Sequence, residues 1–492
     1  MKRFILSIDQ GTTGSTALLI DSKTLKLVEK VNYEFRQILP RPGEVEHNLN
    51  DIFNSIKKSI IDVLEKANAK GEDIECIGIT NQRETVCAYD KKGNPLTNAI
   101  VWQDRRTSSF CSQNVEQYSR FQDKTGLPLD PYFSATKMSW LIENSSVVKE
   151  ALEHENLLLS NIDAFLLFKL TGGQSYKTEP SNASRTLLMD LDTCKWDDEL
   201  CSFFKVPKSV LPEIQDSFGE FGATKGLDFL PDGIKITCML GDQQAALFGQ
   251  AGHNEGELKC TCGTGAFIVL NTGDKKVKSS NGLLTTVAYR LNSKTVYALE
   301  GSSYIAGAAV QWLRDNLGLI NSASEVEALA SRAPDEAMDS VMFLPFFTGI
   351  GSPFWKSDAK AAIVGLSRDT SKEHIARACL EGMALSINDS IQALLEDSPT
   401  TVDSIKVDGG ACQNDLLMQY QANFSNRPIV RPAVIETTAY GVALGSLVGI
   451  GALKMSDIDD LWREDKVFQP QDSAYIKRKL NSWKEYINRV FI

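Results

Sequence analysis

Phe4-Ile5-Leu6-Ser7-Ile8-Asp9-Gln10-Gly11-Thr12-Thr13, near the start of this 492-residue chain, is an apolar run that ends in a carboxylate, a glycine and two hydroxyls. Apolar character resumes over 17–21 and again over 25–35, which predicts a strand, a Gly/Thr turn and returning strands. The pattern recurs half a chain later. Leu258–Cys262 reads as a strand, Gly263-Thr264-Gly265 as a turn and 266–271 as the returning strand. Two such hairpins point to a duplicated architecture with one turn per lobe. Ile52, Ile56, Ile60, Val63 and Leu64 fall at helical spacing and predict a helix over 51–69, with Asn48 and Asn50 as caps. A compact apolar run at 74–79 predicts a buried strand. Strands and helices alternate in both halves, so the class is α/β. The polar segment QAGHNEGE (250–257) is the expected hinge, dividing 1–250 from 251–492.

Composition excludes several functions. The chain is 42% hydrophobic and 23% charged, which is ordinary for a globular protein. A net charge of −11 with no Lys/Arg-dense stretch lacks the electrostatic footprint of a nucleic-acid binder. Ten cysteines without a CxxC, and four histidines away from any cysteine cluster, lack zinc spacing and read as reduced thiols. The opening apolar run stops at Asp9, too soon for a signal peptide. The longest uncharged run, 437–453, falls short of an 18-residue membrane span and carries four glycines. A buried helix packed closely through those glycines is expected.

Three groups of residues carry chemistry. Asp9 beside Gln10, Gly11, Thr12 and Thr13 suits a phosphate chain and its Mg²⁺, because glycine lets backbone amides approach oxygens and the hydroxyls add neutral donors. A P-loop is absent. Gly409-Gly410, between a buried run and Asn414, suits either a flat ring lying on bare backbone or a tight turn. Arg83-Glu84 after a buried strand reads either as a surface ion pair or as a hydroxyl-binding set. Asp130-Pro131-Tyr132-Phe133 reads as a rigid turn carrying a carboxylate and two aromatics. Asp242, at a strand end before Gln243 and Gln244, suits either a general base toward an alcohol or a helix cap.

In this order, the strings IDQGTT (8–13), PGEVEH (42–47), GITNQRET (78–85), NAIVWQ (98–103), DPYFSATK (130–137), NASRTLLMD (182–190), GDQQAALFGQ (241–250), GTGAF (263–267) and VDGGA (407–411) resemble the FGGY carbohydrate kinase family. Lys137 and Trp140 fit its Lys-x-x-Trp signature. The resemblance runs to about residue 450, and NQRE with DPYF and GDQQ is similar to the glycerol-phosphorylating members. It implies duplicated ribonuclease H-like lobes of the actin/hexokinase/Hsp70 type with the active site in a cleft between them. It implies ATP-dependent phosphorylation of glycerol to sn-glycerol 3-phosphate in the cytoplasm, with Mg²⁺, by a homodimer or homotetramer. The alternatives are a kinase for another small polyol or ketose, and a regulatory ATP-binding protein on the same scaffold.

The implied roles are specific. Arg83, Glu84, Tyr132 and Asp242 would bind the glycerol hydroxyls, with Gln243 in support and Phe267 on the hydrocarbon side. Asp242 would be the base and Asp9 the Mg²⁺ residue. Thr12, Thr13, Gly14 and Thr264 would contact phosphate, and Gly307, Gln311, Gly410 and Asn414 would line the rest of the nucleotide site. Thr16 stands where family members often carry a phosphate-binding arginine, which implies altered phosphate contacts. Cys262 replaces a family tyrosine, and Ala359-Lys360-Ala361 an Ala-Arg-Gly segment.

Overall fold

The computed structural model describes residues 2–356 and 358–490. The chain forms two compact units. The first comprises 1–249, 285–297 and 437–459, and the second 250–284, 298–436 and 460–492.

The first unit is built on a six-stranded mixed sheet. Its order is Phe218–Ala223, Lys235–Gly241, Ile74–Asn81, Phe4–Gln10, Gly14–Asp21, Leu27–Glu34. The opening hairpin forms as its sequence predicts, Phe4 pairing with Asp21 and Gln10 with Ser15. Lys235–Gly241, Ile74–Asn81 and Phe4–Gln10 run parallel, and their Ile/Leu/Cys content matches strands covered on both faces. Leu49–Lys66 covers one face, burying Ile52, Ile56, Ile60, Val63 and Leu64. It starts where Asn48 Oδ1 accepts from the amides of Asn50 and Asp51; Asn50 lies inside the helix.

The glycine-rich run becomes the helix Thr437–Gly449, which belongs to this unit although it lies far along the chain. A Cβ on Gly441 would sit 2.0 Å from Ala245 O and one on Gly78 2.4 Å from Val442 O, so backbone meets backbone there. No helix among the described residues is long and apolar enough to cross a membrane.

The second unit repeats the motif. Leu258–Cys262 and Ala266–Gly273 form an antiparallel hairpin, and Ile405–Asp408 pairs parallel to Leu258–Cys262, followed by Ile429–Pro432 and Glu464–Phe468. The 26-residue helix Lys372–Asp397 is buried along most of its length in this unit's core. All ten cysteines are buried free thiols; Cys260 and Cys262 share a strand face with Sγ atoms 3.5 Å apart.

Candidate active site

In the first unit the parallel strands end level with one another, because Gln10 and Gly241 are both in register with Asn81. Each end runs straight into a chemistry-bearing segment: Gly11–Thr13, Gln82–Glu84 and Asp242–Gln244. The carboxyl ends of parallel strands are where α/β folds gather ligand groups.

Arg83 is buried. Its Nε lies 3.1 Å from Asp242 Oδ1, and its terminal nitrogen donates to Gln244 Oε1 at 3.1 Å. Gly241 makes room, since a Cβ there would stand 2.6 Å from Arg83 Cδ. Asp242 opens the helix Asp242–Gly249 and is 31% exposed at its side chain. Its Oδ1 accepts the Gln243 amide at 2.8 Å and its Oδ2 the Gln243 side-chain amide at 3.2 Å. The carboxylate is thus a first-turn acceptor and also an accessible group beside a fixed cation.

Glu84 is no surface residue; it is 2% exposed. Its φ is +60°, and the Thr85 amide donates across it to Arg83 O at 2.7 Å, a γ-turn that costs strain of order 1–3 kcal/mol. Strain of this kind aims a side chain, here at Arg185, whose Nε donates to Glu84 Oε1 at 2.5 Å. Arg185 is fully buried, and its guanidinium lies 5.6 and 5.4 Å from the rings of Tyr132 and Phe133.

Tyr132 sits on the Asp130–Phe133 turn, its amide bonded to Asp130 Oδ1 at 2.8 Å, and Arg105 holds the same carboxylate at 2.8 Å. The buried Lys137 ammonium donates to the carbonyls of Pro131, Tyr132 and Phe133 at 2.8, 2.7 and 3.0 Å. Burial lowers Lys137 to about 7, with the charge on Glu84 opposing the drop.

The Gly11–Thr13 turn closes through the Gly11 amide on Gly14 O at 2.9 Å, with Gly14 itself buried in the returning strand. Its carbonyls are all satisfied from the protein side. Gln10 and Gln82 donate to Gly11 O at 2.7 and 3.3 Å, Gln37 to Thr12 O at 3.1 Å, and the Phe35 amide to Thr13 O at 3.2 Å. Among the described residues no acceptor faces the Thr12 or Thr13 amide, so these donors stay available to an anion. Trp102 donates Nε1–H to Thr12 Oγ1 at 3.0 Å and packs its ring edge on Tyr132, centroids 5.7 Å apart. Asp9 is half-buried at the same strand end, and Thr16, opposite it, bonds Asn32 Oδ1 at 3.0 Å.

Arg185, Trp102, Lys137 and Gln244 join this group without individual roles in the sequence reading. All four lie within strings quoted above, but nothing in their local pattern tells which side chain turns inward.

In the second unit a cavity of about 580 Å³ is lined by Thr264, Gly307, Gln311, Gly410, Asn414 and Leu380, among others. Gly307 follows the hairpin closely: its amide donates to Gly263 O at 2.9 Å, and the Ala306 and Ala308 amides donate to Thr264 O. Gly409 has φ +81° and a Cβ would stand 2.6 Å from Cys262 O, so only glycine fits; a Cβ on Gly410 meets open space. Asn414 Oδ1 accepts the Leu417 amide at 2.8 Å and so caps the helix Asp415–Ser425 as well as lining the cavity. Phe267 is half-buried on the returning strand of the same unit and does not line this cavity.

A two-domain α/β fold with a Gly/Thr turn and a guanidinium–carboxylate set at its parallel strand ends suits a small-molecule kinase, and the comparisons with known proteins show that class. Residues 4–249 match the N-terminal domain, and 258–449 the C-terminal domain, of the FGGY family of carbohydrate kinases. The chain is 48% identical to a glycerol kinase of Bdellovibrio bacteriovorus over 100% of both chains. It is 45% identical to one of Myxococcus xanthus over 99% of each. The structure of Plasmodium falciparum glycerol kinase with ADP superposes with a TM-score of 0.90 at 37% identity, covering 100% of this chain and 99% of that one. The chain belongs to the FGGY family of carbohydrate kinases.

Proposed function

We propose that this protein transfers the terminal phosphoryl group of ATP to a primary hydroxyl of glycerol, giving sn-glycerol 3-phosphate. The observation that carries the reading is the buried set Arg83–Asp242 and Glu84–Arg185 at the strand ends, beside Tyr132 and Trp102. Glycerol has little apolar surface, so its affinity must come from charged groups that donate to and accept from its hydroxyls. Arg83 supplies donors and Glu84 an acceptor, Arg83 held by Asp242 and Gln244 and Glu84 by Arg185. Asp242, accessible and oriented by Arg83 and Gln243, takes the proton of the attacking hydroxyl. The Thr12 and Thr13 amides and hydroxyls hold the transferred phosphoryl, with Gly14 closing the turn. The first lobe, 1–250, thus carries the polyol and the second, 251–492, the nucleotide, in the cavity lined by Thr264, Gly307, Gln311, Gly410 and Asn414. Phe267 is assigned to the hydrocarbon side of the substrate.

Among the described residues no three His, Cys, Asp or Glu side chains cluster as a metal cage. The half-buried Asp9 carboxylate at the strand end beside the Gly11–Thr13 turn fits Mg²⁺, which takes one or two carboxylates together with phosphate oxygens and water. Asp9 is the residue that would hold it, and when bound the ion neutralises charge on the phosphate oxygens. Most of the acceleration comes from positioning and fixed charge. The assignment extends to a cytoplasmic homodimer or homotetramer on family resemblance, read by light scattering of the purified protein.

The test is ADP release from Mg-ATP with and without glycerol, in wild type and Asp242→Asn. Glycerol-dependent turnover that falls about 10²–10⁴-fold in the variant is expected. Wild-type turnover indifferent to glycerol would remove the polyol assignment.

A further inference from the structure

The phosphate turn is held by amide side chains, and an amide side chain has two nearly isosteric ends. If the Gln37 amide rotated by half a turn, its oxygen would face Thr12 O, acceptor against acceptor. What selects the productive orientation is a histidine. His47 Nε2 lies 2.7 Å from Gln37 Oε1, while Gln37 Nε2 donates to Thr12 O at 3.1 Å and to Phe35 O at 3.4 Å. Since Gln37 Oε1 can only accept, the ring proton of His47 sits on Nε2. Nδ1 is then an acceptor, and Gln82 Nε2, whose two hydrogens also serve Gln10 Oε1 at 3.0 Å and Gly11 O at 3.3 Å, makes a longer, shared contact to it at 3.5 Å. The imidazole is wholly buried, on the short strand Glu46–His47, with its ring edge-on to Phe35 at 5.0 Å. Donation therefore runs one way, from His47 Nε2 through Gln37 to the carbonyl of Thr12, with the shared Gln82 contact behind it.

We propose that His47, as the neutral Nε2–H tautomer, is a positioning residue for phosphoryl transfer: it orients Gln37, which fixes the Thr12 carbonyl and so turns the Thr13 amide of the same peptide plane toward the phosphate. This rests on the reading of the Gly11–Thr13 turn as the phosphate site. His47 touches no substrate; it acts through two glutamines. A protonated ring would present a donor at Nδ1 to the Gln82 amide nitrogen and would break the chain at that point.

Two measurements on the full-length enzyme test it. His47→Gln places an amide donor where Nε2 stood, and His47→Asn places one nearer Nδ1. Loss of orientation is expected to lower kcat in His47→Asn by about 10- to 100-fold, the range for a misplacement of around 1 Å. The glycerol dissociation constant should stay within about twofold, and His47→Gln should recover to within about threefold of wild type. Equal kcat losses in both folded variants, or an unchanged kcat in His47→Asn, would overturn the proposal. Wild type labelled with ¹⁵N in its four imidazoles gives the second readout and needs no stable variant. A buried ring protonated on Nε2 alone is expected, and an Nδ1–H ring would overturn it. The companion variant Thr13→Pro, which deletes one of the two backbone amide donors, separates the layers. Unchanged ATP turnover there would sink the phosphate reading and this proposal with it, whereas a loss there without one in His47→Asn would sink this proposal alone.

Discussion

Replacing Glu84 by Gln should destabilise the first unit far more than an isosteric change suggests. Glu84 Oε1 takes the Arg185 Nε–H at 2.5 Å, and the two side chains are 2% and 0% exposed. Water cannot take over when the carboxylate is lost, and arginine cannot shed its proton. The guanidinium keeps the Tyr132 and Phe133 rings, whose attraction is worth about 1 kcal/mol, far below the desolvation of a full charge. Removing one partner of a buried ion pair costs about 3–5 kcal/mol. The φ of +60° at position 84 strains Gln as it strains Glu, so that contribution cancels. Hydrogen exchange of the amides in Ile74–Asn81 reads the opening free energy of this unit without requiring the whole chain to melt in one step. Arg185→Met alone should also destabilise by removing the cation bonded to Glu84 Oε1. The double variant should recover, leaving a coupling energy of about 2 kcal/mol or more between the pair. An opening free energy in Glu84→Gln within about 1 kcal/mol of wild type, or additive single losses, would show that solvent reaches the pair and refute the reasoning.

Trp102→Phe keeps a ring against Tyr132 but removes the donor to Thr12 Oγ1, so kcat should fall roughly threefold to tenfold, equivalent to about 1 kcal/mol, with the glycerol dissociation constant little changed. Steady-state kinetics beside calorimetric glycerol binding decide it, and an unchanged kcat removes Trp102 as an anchor of the turn. Burial holds His47 down to about 4, below its ordinary 6.5, so between those values the unfolded chain binds a proton that the native state does not. Stability contributed by the neutral ring is therefore full above about 6.5 and is lost as pH falls toward 4. From pH 6.5 to 5 the loss is about 2 kcal/mol, and urea unfolding of His47→Gln beside wild type should show a correspondingly flatter dependence. Parallel curves would mean that the ring is reached by protons in the native state.

The sequence by itself determined the local elements and the protein's class. The hairpins around Gly11–Thr13 and Gly263–Gly265, and the Asn48-capped helix, follow from apolar runs, turn residues and helical spacing within a dozen positions. The family strings added the kinase class, which the domain matches at 4–249 and 258–449 show. Tertiary structure decided which of two open meanings each polar residue takes. Arg83 and Glu84 look alike as a surface pair or a buried set, and only the covering of Ile74–Asn81 on both faces makes them buried. Arg83 meets Gln244, 161 residues away, because parallel pairing sets Asn81 level with Gly241, and register between distant strands is not written in either strand alone. Arg185 and Trp102 escaped individual notice for the same reason: their spacing fits a packed or an exposed position equally. The helix Thr437–Gly449 shows the division most directly. Its glycines announced a close approach, but that the backbone approached is Ala245 O depends on packing that no local pattern encodes.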